Sequence, residues 1–181
     1  VQWTSSDAAK NIVGLPTGTY TLKETAAPDG YAYAEDITFT VEEDGTITVD
    51  AANKDENGVI VMKDDVTKVS ISKQDLTTGE ELPGAQLSLY DADGQLVESW
   101  VSTDQPHYLE GVLTAGATYR LVEITAPDGY QVAEAVTFTV NKDGSLTEVV
   151  MRDAAEGEIA ISKQAINGTD ELEGASPVSY T

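Results

Sequence analysis

The chain has 181 residues, no cysteine and a formal net charge of −22, with an isoelectric point of about 4.1. Such an excess of acidic side chains repels phosphate, so neither nucleic acid nor an anionic membrane surface is expected as a partner. No segment reaches the roughly 18 consecutive apolar residues of a membrane span, and no signal peptide begins the sequence. We therefore expect a piece of an exported protein that does not insert into the membrane.

Short segments of alternating apolar and polar residues, separated by turn sequences, run along the whole chain. This pattern predicts an all-β fold. The acidic turns EEDG, DADG and NKDG lack the spaced oxygen ligands of a calcium loop, so we expect no metal and no cofactor. In chain order the predicted strands are 1–6, 20–24, 36–41, 46–49, 59–64, 68–73, 85–90, 96–102, 119–123, 135–140, 149–153 and 158–163.

One stretch occurs twice, as TYTLKETAAPDGY at residues 19–31 and as TYRLVEITAPDGY at residues 118–130. On a strand, alternate residues point to the same face. The glutamate of each copy, Glu24 or Glu123, therefore shares a face with the tyrosine and the leucine that precede it. Each glutamate is predicted to lie on the apolar side of its strand.

Lysine and aspartate residues also occupy positions on the apolar faces of other predicted strands. Lys73 continues the apolar face of Val69 and Ile71, and Asp153 continues that of Val149 and Met151. Both patterns recur, with Lys163 after Ile159 and Ile161, and with Asp64 after Ile60 and Met62. A Lys, a Glu and an Asp thus each occupy an inward position twice.

Charged side chains on a buried face are costly unless they are paired or neutralised. One interpretation is a buried ion-pair cluster, or strands with two polar faces. The other is a reaction, because burial lowers the pKa of a lysine and raises that of a carboxyl group. A neutral amine could then attack the aspartate carbon while glutamate shuttles protons and water leaves.

The segments ISKQD, GEELPGAQLSLYD, TYRLVEITAPDGY and VVMRD resemble the B-type repeat of Gram-positive collagen adhesins and pilins, the Cna B-type domain. This resemblance implies an immunoglobulin-like sandwich of the prealbumin type. It also implies an intramolecular isopeptide bond between a lysine of the first strand and an Asn or Asp of the last strand, promoted by a glutamate. By position these residues are Lys73, Asp153 and Glu123.

The repeat spacing of about 90 residues indicates tandem domains. We expect a domain at 1–65 that lacks its first strands, a complete domain at 66–156, and the first strands of a further domain at 157–181. If the last residue of the chain is joined to the first, the alternation of apolar and polar residues continues in phase across the join. Lys163 is therefore predicted to pair with Asp64 across the chain ends, assisted by Glu24. The chain is then one period of a longer repeat, or a subunit whose tail completes the next molecule. A fragment truncated at both ends is the alternative.

The expected function is structural. The chain is interpreted as part of a stalk or pilus-like fibre on a Gram-positive cell surface or cell wall, with neighbouring copies joined head to tail. An adhesive module that binds a host protein or glycan is the alternative. No external enzyme activity is expected, because no nucleophile pattern, metal set or phosphate loop is present, and His107, the only histidine, is interpreted as structural.

Overall fold

The computed structural model describes residues 1–157, 163, 164, 173 and 174. Within these residues, all of the regular secondary structure is β-strand except for a single 3-10 turn, Ala51–Asn53. No helix in these residues is long and apolar enough to cross a bilayer. The all-β prediction is confirmed. The strands are β1 (Gly18–Leu22), β2 (Ile37–Val41), β3 (Ile47–Val49), β4 (Lys68–Asp75), β5 (Gln86–Tyr90), β6 (Leu96–Val101), β7 (His107–Glu110), β8 (Thr118–Thr125), β9 (Val136–Thr139) and β10 (Leu146–Asp153).

Residues 66–156, called here the second unit, contain two sheets. One has the strand order β10-β4-β7 and the other the order β6-β5-β8-β9. Alternate residues of both sheets point inward and are almost fully buried, because each strand places one apolar face against the other sheet. The core includes Val69, Ile71, Leu87, Leu89, Leu109, Tyr119, Leu121, Val149 and Met151.

The first and last strands of the second unit lie side by side. β4 and β10 pair in parallel over their full length, with Lys73 opposite Met151 and Asp75 opposite Asp153. Lys73 and Asp153 have the same parity, so both side chains project into the space between the sheets. The chain thus enters and leaves the second unit on two adjacent strands.

Residues 1–65, the first unit, contain one three-stranded sheet of order β1-β2-β3. The pairing of β1 with β2 repeats that of β8 with β9: Tyr20 lies opposite Phe39 as Tyr119 lies opposite Phe138. The aromatic rings stack with centroids 5.5 Å apart in the first unit and 6.0 Å apart in the second. The repeated sequence therefore forms the same hairpin in both units.

Two predicted strands of the first unit are not formed. Residues 1–6 have no regular structure, and residues 59–64 contain only an isolated bridge between Ile60 and Lys54. In the second unit the counterpart of 59–64 is part of β10, which is held by the lysine strand β4. The corresponding lysine strand, predicted at 158–163, lies outside the described residues except for Lys163. Among the described residues, no strand pairs with 59–64.

Candidate functional site

Three ionisable side chains meet between the sheets of the second unit. Lys73 comes from β4, Asp153 from the adjacent β10, and Glu123 from β8 in the opposite sheet. The side chains of Lys73, Glu123 and Asp153 are 1%, 0% and 0% exposed. The structure therefore brings together, inside the core, the three residues that the parity argument singled out.

The lysine nitrogen lies within reach of both carboxyl groups. Lys73 Nζ is in direct contact with Asp153 Oδ1 and lies 3.5 Å from Glu123 Oε1. The other oxygen of Glu123, Oε2, accepts a 2.6 Å hydrogen bond from the backbone N–H of Ala133. This bond fixes the carboxyl group of Glu123 with one oxygen facing the lysine and aspartate.

The remaining polar atoms of this cluster are poorly satisfied. Lys73 Nζ, Glu123 Oε1 and both carboxyl oxygens of Asp153 are buried and make no hydrogen bond of good geometry. Removing an ion from water costs several kcal/mol, and attraction to an opposite charge offsets this only when hydrogen bonds complete the shell. As separate ions, these groups are costly to bury. An amide link between Lys73 and Asp153 would eliminate two of the charges.

Burial also changes the acidity of the glutamate. Desolvation raises the pKa of Glu123, and the nearby Asp153 carboxyl raises it further. The Ala133 N–H and the Lys73 ammonium act in the opposite direction without reversing the shift. The raised pKa favours a protonated Glu123, which can donate a hydrogen bond or a proton to the Asp153 carboxyl.

A second polar contact closes the end of the core next to this cluster. The Tyr130 hydroxyl donates a 2.8 Å hydrogen bond to Asp75 Oδ2. The Thr78 N–H and this hydroxyl lower the pKa of Asp75, whereas the Asp75 carboxylate raises the pKa of Tyr130. Neither Tyr130 nor its partner Asp75 was singled out for a role from the sequence.

The structure describes the surroundings of the second predicted set, Lys163, Asp64 and Glu24, less completely. Glu24 is half-buried and its Oε2 accepts a 2.8 Å hydrogen bond from the backbone N–H of Ala34, as Glu123 does from Ala133. Asp64 is half-buried, but it lies outside any strand. Lys163 is exposed, and the rest of its predicted strand lies outside the described residues. Glu24 thus repeats the backbone hydrogen bond of Glu123, although it is less buried.

The other candidates have local structural contacts. The ring of His107 stacks on Trp100 with centroids 4.2 Å apart, and its Nε2 lies 3.2 Å from Glu98 Oε1. In the acidic turns, Asp44 and Asp91 accept backbone N–H bonds within their own turns. Over the described part of the chain, no group of three or more His, Asp or Glu side chains is arranged to hold a metal ion.

Comparison with solved structures gives matches of low overall similarity. The Bacillus anthracis TIE protein is 25% identical, with a TM-score of 0.46, over 78% of this chain and 26% of that one. The shaft pilin SpaA of Lactobacillus rhamnosus GG is 19% identical, with a TM-score of 0.44, over 78% of this chain and 66% of that one. The pilus 2b backbone protein of group B streptococcus is 21% identical, with a TM-score of 0.46, over 74% and 52%. The chain thus spans from about a quarter to two thirds of the length of these proteins.

A comparison with protein families is more decisive, although no curated protein matches the chain. The model described as the SpaA prealbumin-like fold domain matches residues 1–55 and 67–155, which together are most of the sequence. The match agrees with the two-sheet architecture of the second unit and confirms the resemblance to B-type repeats. The chain belongs to the family of SpaA prealbumin-like fold domains.

Proposed function

We propose that this chain is a structural segment of a cell-surface stalk or pilus-like fibre, and that it is stabilised by self-catalysed isopeptide bonds. The observation that carries the proposal is the fully buried contact of Lys73 with Asp153 beside Glu123. A cross-link between the first and last strands suits a domain without disulfides that transmits tension. The family match supports the same conclusion, because it assigns both units to a fold family that includes pilin domains.

The reaction is a condensation inside the folded core. The Lys73 ammonium first gives a proton to the Asp153 carboxylate that it contacts. The resulting neutral amine then attacks the carbon of the neutral Asp153 carboxyl group and forms a C–N bond. Protonated Glu123 donates its proton to an oxygen of Asp153 and takes a proton from the lysine nitrogen, so that one Asp153 oxygen leaves as water. The product is a neutral amide, and Glu123 returns to its starting protonation state. The protein acts only on itself and needs no cofactor.

A second bond is proposed between Lys163 and Asp64, promoted by Glu24. It is supported by the Ala34–Glu24 hydrogen bond, which reproduces the one that orients Glu123. In this proposal residues 157–181 complete the first unit of a neighbouring copy, or of the next repeat, and so join units head to tail outside the cell. The proposed location is the surface or wall of a Gram-positive cell.

Intact-mass spectrometry tests the bond in the second unit. The wild-type protein should be lighter than its sequence mass by about 18 Da for each bond formed, since each releases one water. Glu123→Ala should prevent the Lys73–Asp153 bond and so abolish the mass loss that this bond causes. Glu134→Ala, which changes an exposed glutamate of the same unit, should leave that mass loss unchanged. A digest should contain one peptide pair joined through Lys73 and Asp153. A folded wild-type protein of full sequence mass would falsify the reaction.

Replacing the acceptor gives a more specific test. In Asp153→Asn the leaving group becomes ammonia, so the mass should fall by about 17 Da rather than 18 Da. Asp153→Ala, which has no carbonyl carbon to attack, should show no loss from this site. The two bonded proteins contain the same amide, so they should have the same intact mass although their sequence masses differ by about 1 Da. Bonded masses that differ by that amount would contradict the assignment of Asp153 as acceptor.

Denaturing electrophoresis tests the second bond. If Lys163 joins Asp64 of a neighbouring copy, the purified chain should give a ladder of multiples that Lys163→Met abolishes. If the bond forms within one chain, a second loss of about 18 Da should appear without a ladder. The absence of both products would contradict the Lys163–Asp64 pair and leave the Lys73–Asp153 bond unaffected.

A further inference from the structure

The two units of this chain are joined by backbone hydrogen bonds rather than by a free linker. The backbone N–H of Thr67 donates to Gly30 O at 2.9 Å, and the N–H of Gly111 donates to Thr67 O at 2.9 Å. Thr67 is 1% exposed, and its hydroxyl donates a 2.6 Å hydrogen bond to Leu113 O. Thr67, at the start of the second unit, is thus bonded both to a turn of the first unit and to a loop of its own unit.

Close packing reinforces this joint. A Cβ on Gly30 would lie 2.9 Å from the carbonyl carbon of Gly111 and nearer still to its oxygen, so no side chain fits there. On the other side of the joint, Tyr33 N donates to Lys142 O at 2.7 Å, and Lys142 Nζ lies 5.3 Å from the centre of the Tyr33 ring. Two separate loops of the second unit therefore contact the first unit, which opposes both bending and rotation.

We infer that the turn around Gly30 is a docking surface that holds consecutive units in one fixed orientation, and that its partner is the loop end of the following B-type unit. This inference rests on the tandem arrangement proposed above, but not on the isopeptide bond. Its consequence is a stalk that resists bending at each boundary between units, because the linking residues are ordered on both sides.

The same turn recurs at the far end of the second unit, where none of the described residues packs against it as Gly111 packs against Gly30. There the Glu156 N–H donates to Gly129 O at 2.7 Å, as the Thr67 N–H does to Gly30 O. Gly129 has a φ of +82° against +81° for Gly30, yet it is exposed and a Cβ there would meet nothing within 4 Å. The exposed turn around Gly129 is the equivalent surface for the unit that follows.

These two glycines provide a matched pair of variants. Gly30→Ala and Gly129→Ala impose the same backbone strain on the same turn, and only the first creates a clash between units. Because the chain has no cysteine, spin labels can be attached at Thr38→Cys and Thr137→Cys, exposed positions on β2 and β9. Double electron–electron resonance on the full chain then measures the distance between units and its spread.

The expected result is one narrow distance distribution for the unsubstituted labelled chain and for Gly129→Ala, with at least a twofold broader one for Gly30→Ala. Thr67→Val removes the hydroxyl bonds to Leu113 O at 2.6 Å and to Gly30 O at 3.3 Å but keeps the backbone bonds of Thr67. It should give a smaller broadening and serves if Gly30→Ala does not fold. A broad distribution without substitution, equal broadening by both glycine variants, or no broadening by either Gly30→Ala or Thr67→Val would overturn the inference. The intact mass of each sample reports the isopeptide bond separately, so failure of one proposal is distinguishable from failure of the other.

Discussion

At the scale of single residues, Lys73, Glu123 and Asp153 form a buried cluster in which most of the polar side-chain atoms have no hydrogen-bond partner. Three ionisable groups share a core from which water is excluded, and only one of their oxygens, Glu123 Oε2, has a backbone donor. Desolvation costs the charged form of a group much more free energy than the neutral form. A reaction that removes charges is therefore favoured in such a site. The amide bond proposed between Lys73 and Asp153 would remove two charged groups from this environment.

The raised pKa of Glu123 predicts a pH dependence of stability that can be measured without the cross-link. In Lys73→Met the bond cannot form, and loss of the ammonium removes an influence that lowers this pKa. Folded Glu123 then holds its proton more tightly than the unfolded chain does, so its contribution is fully present below the ordinary Glu pKa of about 4.3. That contribution is lost as the pH rises through the raised pKa of Glu123.

Lys73→Met/Glu123→Gln is the matched control, because Gln is neutral at every pH and Asp153 is the same in both proteins. Denaturant unfolding between pH 4 and pH 8 should show that Lys73→Met loses more stability than the double variant, by about 1.4 kcal/mol for each unit by which the pKa is raised. If the stability of the two proteins changed in parallel with pH, burial would not raise the pKa of Glu123.

At the scale of strands, one face of β8 contributes residues both to the hydrophobic core and to the cluster of ionisable side chains. Leu121, 0% exposed, lies on the same face as Glu123, whereas Ile124 points outward and is 49% exposed. Leu121→Ala should cost about 2–5 kcal/mol of unfolding free energy, the usual range for a buried leucine, and Ile124→Ala should change it by less than about 0.5 kcal/mol. Chemical denaturation should be measured in a Glu123→Gln background, so that an isopeptide bond does not mask the loss. Equal costs for the two substitutions would contradict the assigned faces of β8.

Strand parity is also what made this site predictable from the sequence. Period-two alternation places Lys73, Glu123 and Asp153 on inward faces whatever the order of the strands, so a local pattern was sufficient. The Ala133 N–H that orients Glu123 is a backbone group, and no side-chain pattern reveals it. Alternation also predicts a strand at 59–64 that the structure does not form. Alternation indicates only which face is apolar, whereas a strand also needs a neighbour.

At the scale of the whole molecule, the parallel pairing of β4 with β10 determines how the second unit responds to tension. A force that pulls the neighbouring units apart enters at the start of β4 and leaves at the end of β10, so it shears these two strands against each other. The proposed covalent bond between Lys73 and Asp153 would join the two strands close to the exit point. Tension would then pass along β4 and across the amide into the next unit, and the 80 residues from Lys73 to Asp153 would carry little of it.

This arrangement predicts a large difference in single-molecule pulling experiments. In the wild-type chain the second unit should release no length between Lys73 and Asp153 before the tether breaks. In Glu123→Ala the same unit should unfold in one step and release about 280 Å of chain, since an extended residue spans roughly 3.5 Å. Glu134→Ala, with its cross-link intact, should behave as the wild type does, which separates the effect of the bond from that of losing a carboxylate. A wild-type unit that releases the full length would show that β4 and β10 are held only by hydrogen bonds, and that the stalk yields at the strands rather than at its covalent chain.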